Sequence, residues 1–203
     1  MSSEYEPAFS YHPTDPQAQA ELAGVRKRFR AAAAPYLASP WPWLGWGLAL
    51  PAAALGTRLA GERWGPSGVL LLWSFAILAA GAIEARSFWQ QKGRGSLLAA
   101  WALRAQGNLS LVALLLSVAL VVGDELLLLP GLWLLLLGHS FYILGGLSFR
   151  ALSRFGLAYQ LGGAAALFSG RAGLAVFAVT TAFANLGLAL AVLRRGRLTL
   201  GAE

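Results

Sequence analysis

The sequence predicts an all-α polytopic membrane bundle of six transmembrane helices with both termini in the cytoplasm. Three observations carry that expectation. First, six apolar stretches, residues 41–59, 68–84, 108–122, 126–149, 151–168 and 172–193, fill the chain beyond residue 40. A crossing needs roughly 20 residues, so they leave no room for a second domain. Second, alternate threading puts Arg26, Lys27, Arg28, Arg30, Arg86, Lys92, Arg94, Arg104, Arg150, Arg154, Arg194, Arg195 and Arg197 on one side. Only Arg58, Arg63 and Arg171 fall opposite. Basic residues are retained on the cytoplasmic side during insertion, so this sorting sets helix count and orientation together. Third, 57% of residues are hydrophobic and 12% charged, against about 25% charged in soluble domains.

The cytoplasmic tail comprises residues 1–40. Residues 1–14, with Pro7 and Pro13 among polar residues, have the composition of a disordered segment. A basic amphipathic helix is expected over 15–34, with Asp15 as N-cap and Pro16 at the first helical position. Ala18, Leu22, Val25 and Phe29 form an apolar stripe, and Arg26, Lys27, Arg28 and Arg30 cover much of the rest. Such a helix suits the anionic headgroups of the bilayer surface, apolar face down; a solvated linker helix is the alternative. Pro35, Pro40 and Pro42 should end it before the first span. The tail lacks the early apolar core of a signal peptide, so the first span is expected to be its own uncleaved insertion signal.

The transmembrane domain covers 41–193, followed by a short cytoplasmic tail at 194–203. Pro51 should kink or break the first span. Trp41, Trp43, Trp46, Trp64, Trp89 and Trp133 fall near the ends of spans, where indoles sit as headgroup-level anchors. Trp73 and Trp101 fall deeper and should pack against protein. Small pairs four apart, such as Ala52 with Gly56, Ala76 with Ala80, and Gly162 with Ala166, favour close helix approach.

Polar residues at depth are the candidates for function, because hydrocarbon makes them costly. His139 lies near the middle of the fourth span, and Ser117, Tyr159, Gln160, Thr180, Thr181 and Asn185 fall at similar depth. They form either a hydrogen-bonded clasp or the lining of a polar path for a small solute or proton. A clasp would have a neutral His139 imidazole bonded to Gln160 or Asn185 on helices five or six. At the cytoplasmic end, Glu84 is a candidate ion-pair partner for Arg150 or Arg154, and the arginine pair alternatively suits a lipid phosphate or anionic solute. Asp124 and Glu125 belong to a solvated outer turn.

No metal is expected, since a site wants three or four ligands and no second embedded His or carboxylate cluster accompanies His139. No cofactor is expected either. Gly-x-Ser-x-Gly, His-Glu-x-x-His and phosphate-loop patterns are missing from the chain, so the expectation is that it is not an enzyme. The net charge of +7 lies beside apolar runs, which favours lipid over nucleic acid. Without Cys, disulfide and thiol chemistry are excluded. Two readings stand: a non-catalytic subunit or regulator of the inner (cytoplasmic) membrane, pairing with a membrane protein or a second copy; or a small-solute channel or transporter with its path past His139. Helices one to three and four to six would have opposite orientations, so an inverted repeat is topologically allowed, though the halves show no internal similarity.

Overall fold

A computed structural model describes residues 16–37, 39–90 and 97–200, and these are helical apart from short connections. The helices are α1 (Pro16–Leu37), α2 (Trp41–Trp89), α3 (Leu97–Val122), α4 (Leu129–Leu147), α5 (Arg150–Phe168) and α6 (Gly173–Leu200). Short 3-10 turns, Leu126–Leu128 and Gly170–Ala172, lead into α4 and α6. The segment expected at 1–14, the expected N-cap Asp15, and the last three residues of the tail expected at 194–203 lie outside the described residues. The result is a helical membrane bundle. Among the described residues four stretches are long and apolar enough to cross a bilayer: Trp41–Ser87, Arg104–Val122, Leu126–Gly146 and Gly170–Arg194.

The first of these contains two of the expected spans. Gly65 adopts φ 65° and ψ −160°, the one non-helical conformation inside α2. A positive φ is readily open to glycine because it has no Cβ. Residues at similar distances on either side of it then meet: Gly61 lies against Val69, Gly56 against Leu72, and Gly45 against Ile83. The α2 helix is therefore a tight hairpin of two antiparallel arms, 41–64 and 66–89. Each is about one crossing long at roughly 1.5 Å per residue. The break comes at Gly65, not at Pro51, whose backbone keeps helical dihedrals.

The α5 helix does not meet the apolarity of a free-standing span, because Arg150, Arg154, Tyr159 and Gln160 interrupt it. It is instead held between α4 and α6. Gly131, Gly138 and Gly145 of α4 recur every seven residues, as do Gly156 and Gly163 of α5. They bring the two backbones into contact. A Cβ at Gly138 would stand 2.8 Å from the Gln160 amide nitrogen and the Gly156 carbonyl oxygen, and one at Gly163 would stand 2.8 Å from the Leu135 nitrogen. Close backbone approach of this kind replaces the hydrophobic effect as the force joining helices in lipid. The core is correspondingly small-residue: Ala54, Ala166, Ala178 and Ala184 surround Leu134, Tyr159 and Phe177.

The connection from α3 to α4 is set by a residue in the left-handed region, Asp124 at φ 58°. Its amide donates to the Val121 carbonyl at 3.2 Å, and the Glu125 amide to the Leu120 carbonyl at 2.8 Å. These two bonds are those of a Schellman motif and cap the last carbonyls of α3.

Helix boundaries differ from expectation at three places. α1 continues through Pro35 to Leu37, since a proline in a last turn removes only one late hydrogen bond. α3 starts at Leu97, with Ala- and Leu-rich sequence ahead of its apolar stretch, and α6 runs on through Arg194, Arg195 and Arg197 to Leu200, arginine and leucine both being good helix formers. On α1, Ala18, Leu22 and Phe29 are the half-buried positions among the side chains described, as the stripe predicts, while Val25 is exposed. α1 touches α2, α3 and α4.

Candidate functional site

The α5 and α6 helices bring three of the expected polar residues together. Tyr159, Thr181 and Asn185 are 1%, 0% and 2% exposed, so each must find its partners within the protein. The Asn185 carboxamide Nδ2 donates to the Tyr159 hydroxyl at 2.6 Å and to the Thr181 carbonyl at 2.9 Å. The Thr181 hydroxyl donates to the Phe177 carbonyl at 2.8 Å, one turn back. Gly47 makes room for Asn185 on the third side, since a Cβ there would lie 2.9 Å from the Asn185 Cβ. Two helices are thus bonded and a third is seated on the bond. The Tyr159 ring continues the contact edge-on to Phe141 at 5.5 Å, and Phe141 to Trp43 at 5.9 Å. Chemically the cluster is a neutral carboxamide and two hydroxyls, bonded to one another or to backbone. It provides no base to activate a nucleophile.

The structure does not bring His139 or Gln160 into this cluster. His139 is exposed, and neither it nor Gln160 makes a hydrogen bond among the described residues. The reason is angular. Gly138 occupies the seam with α5, and the next residue on a helix points about 100° away. The clasp of His139 to Gln160 or Asn185 therefore does not form. Thr180 packs against Gly162 of α5. Ser117 belongs to a different contact, on α3, described below.

The expected ion pair of Glu84 with Arg150 or Arg154 is also replaced. Glu84 accepts the Trp46 indole N–H at 2.8 Å. Arg150 and Arg154 are exposed, and the salt bridge among the described residues is Arg58 to Glu62 at 2.7 Å. Glu84 and Trp46 are equidistant from Gly65, so the hairpin brings them together before any residue of α5 can reach the carboxylate.

Trp46 is therefore a clasp rather than an anchor, and Trp133 is another. Trp41, Trp64 and Trp89 do remain exposed near helix ends, at 64%, 65% and 67%. The Trp73 indole donates to the Thr57 hydroxyl at 3.0 Å, and that hydroxyl donates to the Ala53 carbonyl at 2.7 Å. The Trp133 indole donates to the Ser117 hydroxyl at 3.0 Å, which donates to the Ala113 carbonyl at 2.7 Å. Ala113, Ser117 and Trp133 stand sixty positions after Ala53, Thr57 and Trp73. The same small-residue, hydroxyl and indole device thus closes the α2 hairpin and joins α3 to α4. The side chain of Trp101 lies outside the described residues.

Sequence reasoning missed both this recurrence and the glycine seam. An Ala-x-x-x-Ser/Thr pair followed sixteen residues later by Trp, twice at one offset, was the available signal for the first. Seven-residue glycine spacing was the signal for the second.

No protein-family model, no curated protein and no solved structure matches the chain.

Proposed function

We propose that this chain is a non-catalytic subunit or regulator of the inner (cytoplasmic) membrane, with its termini in the cytoplasm, acting through its lateral helix faces. The observation that carries this reading is α3. Among residues 104–122 Ala113 alone is buried, while Leu111, Leu114, Leu115, Val118 and Val122 are 54–82% exposed. The helix is tied to α4 by two side-chain bonds, from Trp133 to Ser117 and from Ser140 to Gln106. A peripheral apolar helix fastened by polar clasps presents most of its surface to whatever lies beside it in the bilayer. The buried polar cluster supports the same reading, since Tyr159, Thr181 and Asn185 are engaged in bonds to one another and to backbone rather than turned toward a path. The exposed Arg150 and Arg154 on the cytoplasmic end suit anionic lipid headgroups.

The test is photo-crosslinking in native membranes, with a photoreactive residue replacing Leu115 or Val118. One defined membrane polypeptide should be captured at both positions and not from Val179 of α6. The transport reading has a separate assay. Saturable solute uptake by proteoliposomes containing this protein alone, lost in Asn185→Leu, would replace the subunit reading with a transporter.

A further inference from the structure

One lateral face departs from the apolar character of the rest. Three polar side chains stand on the outer side of the α4–α5 seam, His139 and Gln160 at mid-span and Tyr142 one turn nearer the end of α4, and none hydrogen-bonds within the described residues. His139 and Tyr142 are one turn apart on α4 and exposed, Tyr142 at 48%. Gln160 is half-buried, and its backbone lies against Gly138, the residue before His139. The core side of α5 carries Leu152, Gly156, Tyr159, Gly163 and Ala166 instead. Around the polar trio the face is apolar, with Ile143, Leu157 and Leu161 exposed at 49%, 46% and 64%. Gly146, one turn beyond Tyr142, has open space where a Cβ would stand.

An imidazole, a phenol and a carboxamide left against lipid tails would each lack a partner at a depth where no water compensates. A second transmembrane surface supplies one. We propose that this face binds a second copy of the same chain, forming a twofold dimer about an axis along the membrane normal near His139. Self-complementarity selects the second copy as occupant. Each of the three groups, in its neutral form, both donates and accepts hydrogen bonds, and the exposed charges on the same stripe of α5, Arg154 and Arg150, lie about two and three turns from Gln160, toward the end of the bundle. Copies inserted with the same orientation place α4 parallel to its counterpart. A twofold then sets each residue near its own equivalent, the geometry of an isologous interface. Gly146 lets the two α4 helices draw close at one end of the contact. The assignment requires only that α4 and α5 lie in the membrane, so it stands or falls separately from the subunit role.

The natural absence of Cys makes the test direct. Single replacements His139→Cys and Ile143→Cys on the proposed face are compared with Leu115→Cys on α3 and Val179→Cys on α6. All four sites are exposed, and the thermal midpoint of each full-length variant serves as a folding control. Oxidation in isolated membranes should give covalent dimers at 139 and 143 and few at 115 and 179. In the Ile143→Cys background, His139→Ala should lower the dimer yield about threefold, the scale of one interhelical hydrogen bond in lipid. Three results would overturn the proposal: no dimers at 139 and 143, equal dimers at all four sites, or capture of a different polypeptide at 139 and 143. An unchanged yield in His139→Ala would overturn the role of the imidazole.

Discussion

Asn185 makes the bond between α5 and α6 on which the clasp depends, so its energetics can be isolated. Interhelical polar contacts in lipid average about 0.6 kcal/mol and reach about 1.7 kcal/mol, because the unfolded chain in the membrane also finds partners. The Asn185–Tyr159 bond is short and fully enclosed, which places it in the upper part of that range. Asn185→Leu should therefore destabilise the bundle by about 1–2 kcal/mol in a reversible detergent-unfolding titration. Tyr159→Phe, which keeps the ring against Phe141, should cost about 1 kcal/mol. The double variant should cost less than the two singles added, with a coupling of about 1 kcal/mol, since both remove the same bond. Strict additivity would mean that the two groups do not share it. Tyr159, Thr181 and Asn185 were legible in the sequence as polar residues at one depth on adjacent spans. The position of His139 was not, because depth along a span says nothing about rotation around it. Rotation was fixed by Gly131, Gly138 and Gly145, whose seam with α5 leaves His139 on the outer side.

At the scale of elements, the glycine seam makes the sharpest demand. Gly138→Ala inserts a methyl group where the Gln160 nitrogen, the Gly156 oxygen and the Tyr159 Cβ all lie 2.8 Å away. Two of these atoms are backbone, so relief requires the helices themselves to separate. The expected loss is about 3 kcal/mol, the top of the usual range for overpacking. Gly81→Ala provides the contrast. Nothing stands within 4 Å of its Cβ position, so the change should be neutral or stabilise by up to about 0.5 kcal/mol through higher helix propensity. Thermal unfolding of the two variants in the same detergent decides the matter, and equal midpoints would show that the α4–α5 contact is looser than described. Continuous apolar runs between Gly- and Pro-marked turns made the helices and their order readable beforehand. The turn at Gly65 falls in the gap between the apolar stretches 41–59 and 68–84, where Glu62 and Arg63 interrupt the run. Which helices would touch was not readable in the same way: four-residue small pairs are abundant in a chain with 24 glycines and obscured the seven-residue spacing that the seam uses.

Across the whole molecule, the hairpins collect charge at two ends. The turns at Gly65, Asp124 and Gly170 share one end, because the α2 arms, the α3–α4 pair and the α5–α6 pair each run antiparallel. Arg58, Arg63 and Arg171 lie toward that end. Arg86, Arg104, Arg150, Arg154 and Arg194 lie toward the other, where Gly145 meets Ser153 across the α4–α5 connection. The charge asymmetry seen along the sequence is therefore an asymmetry of the folded bundle as well. The helices alone leave the orientation open; the proposed one puts the Arg-rich end in the cytoplasm, where basic residues are retained during insertion. A topology reporter fused at the C-terminus should accordingly report the cytoplasm, as should one inserted at Lys92. A reporter inserted beside Glu125, within the turn that follows α3, should report the opposite compartment. Cytoplasmic signal at Glu125 with an external C-terminus would invert the assigned orientation. Signals from one compartment at both Glu125 and the C-terminus would require one crossing fewer or more between them, and the comparatively polar α5 would then lie within the bundle without spanning the bilayer.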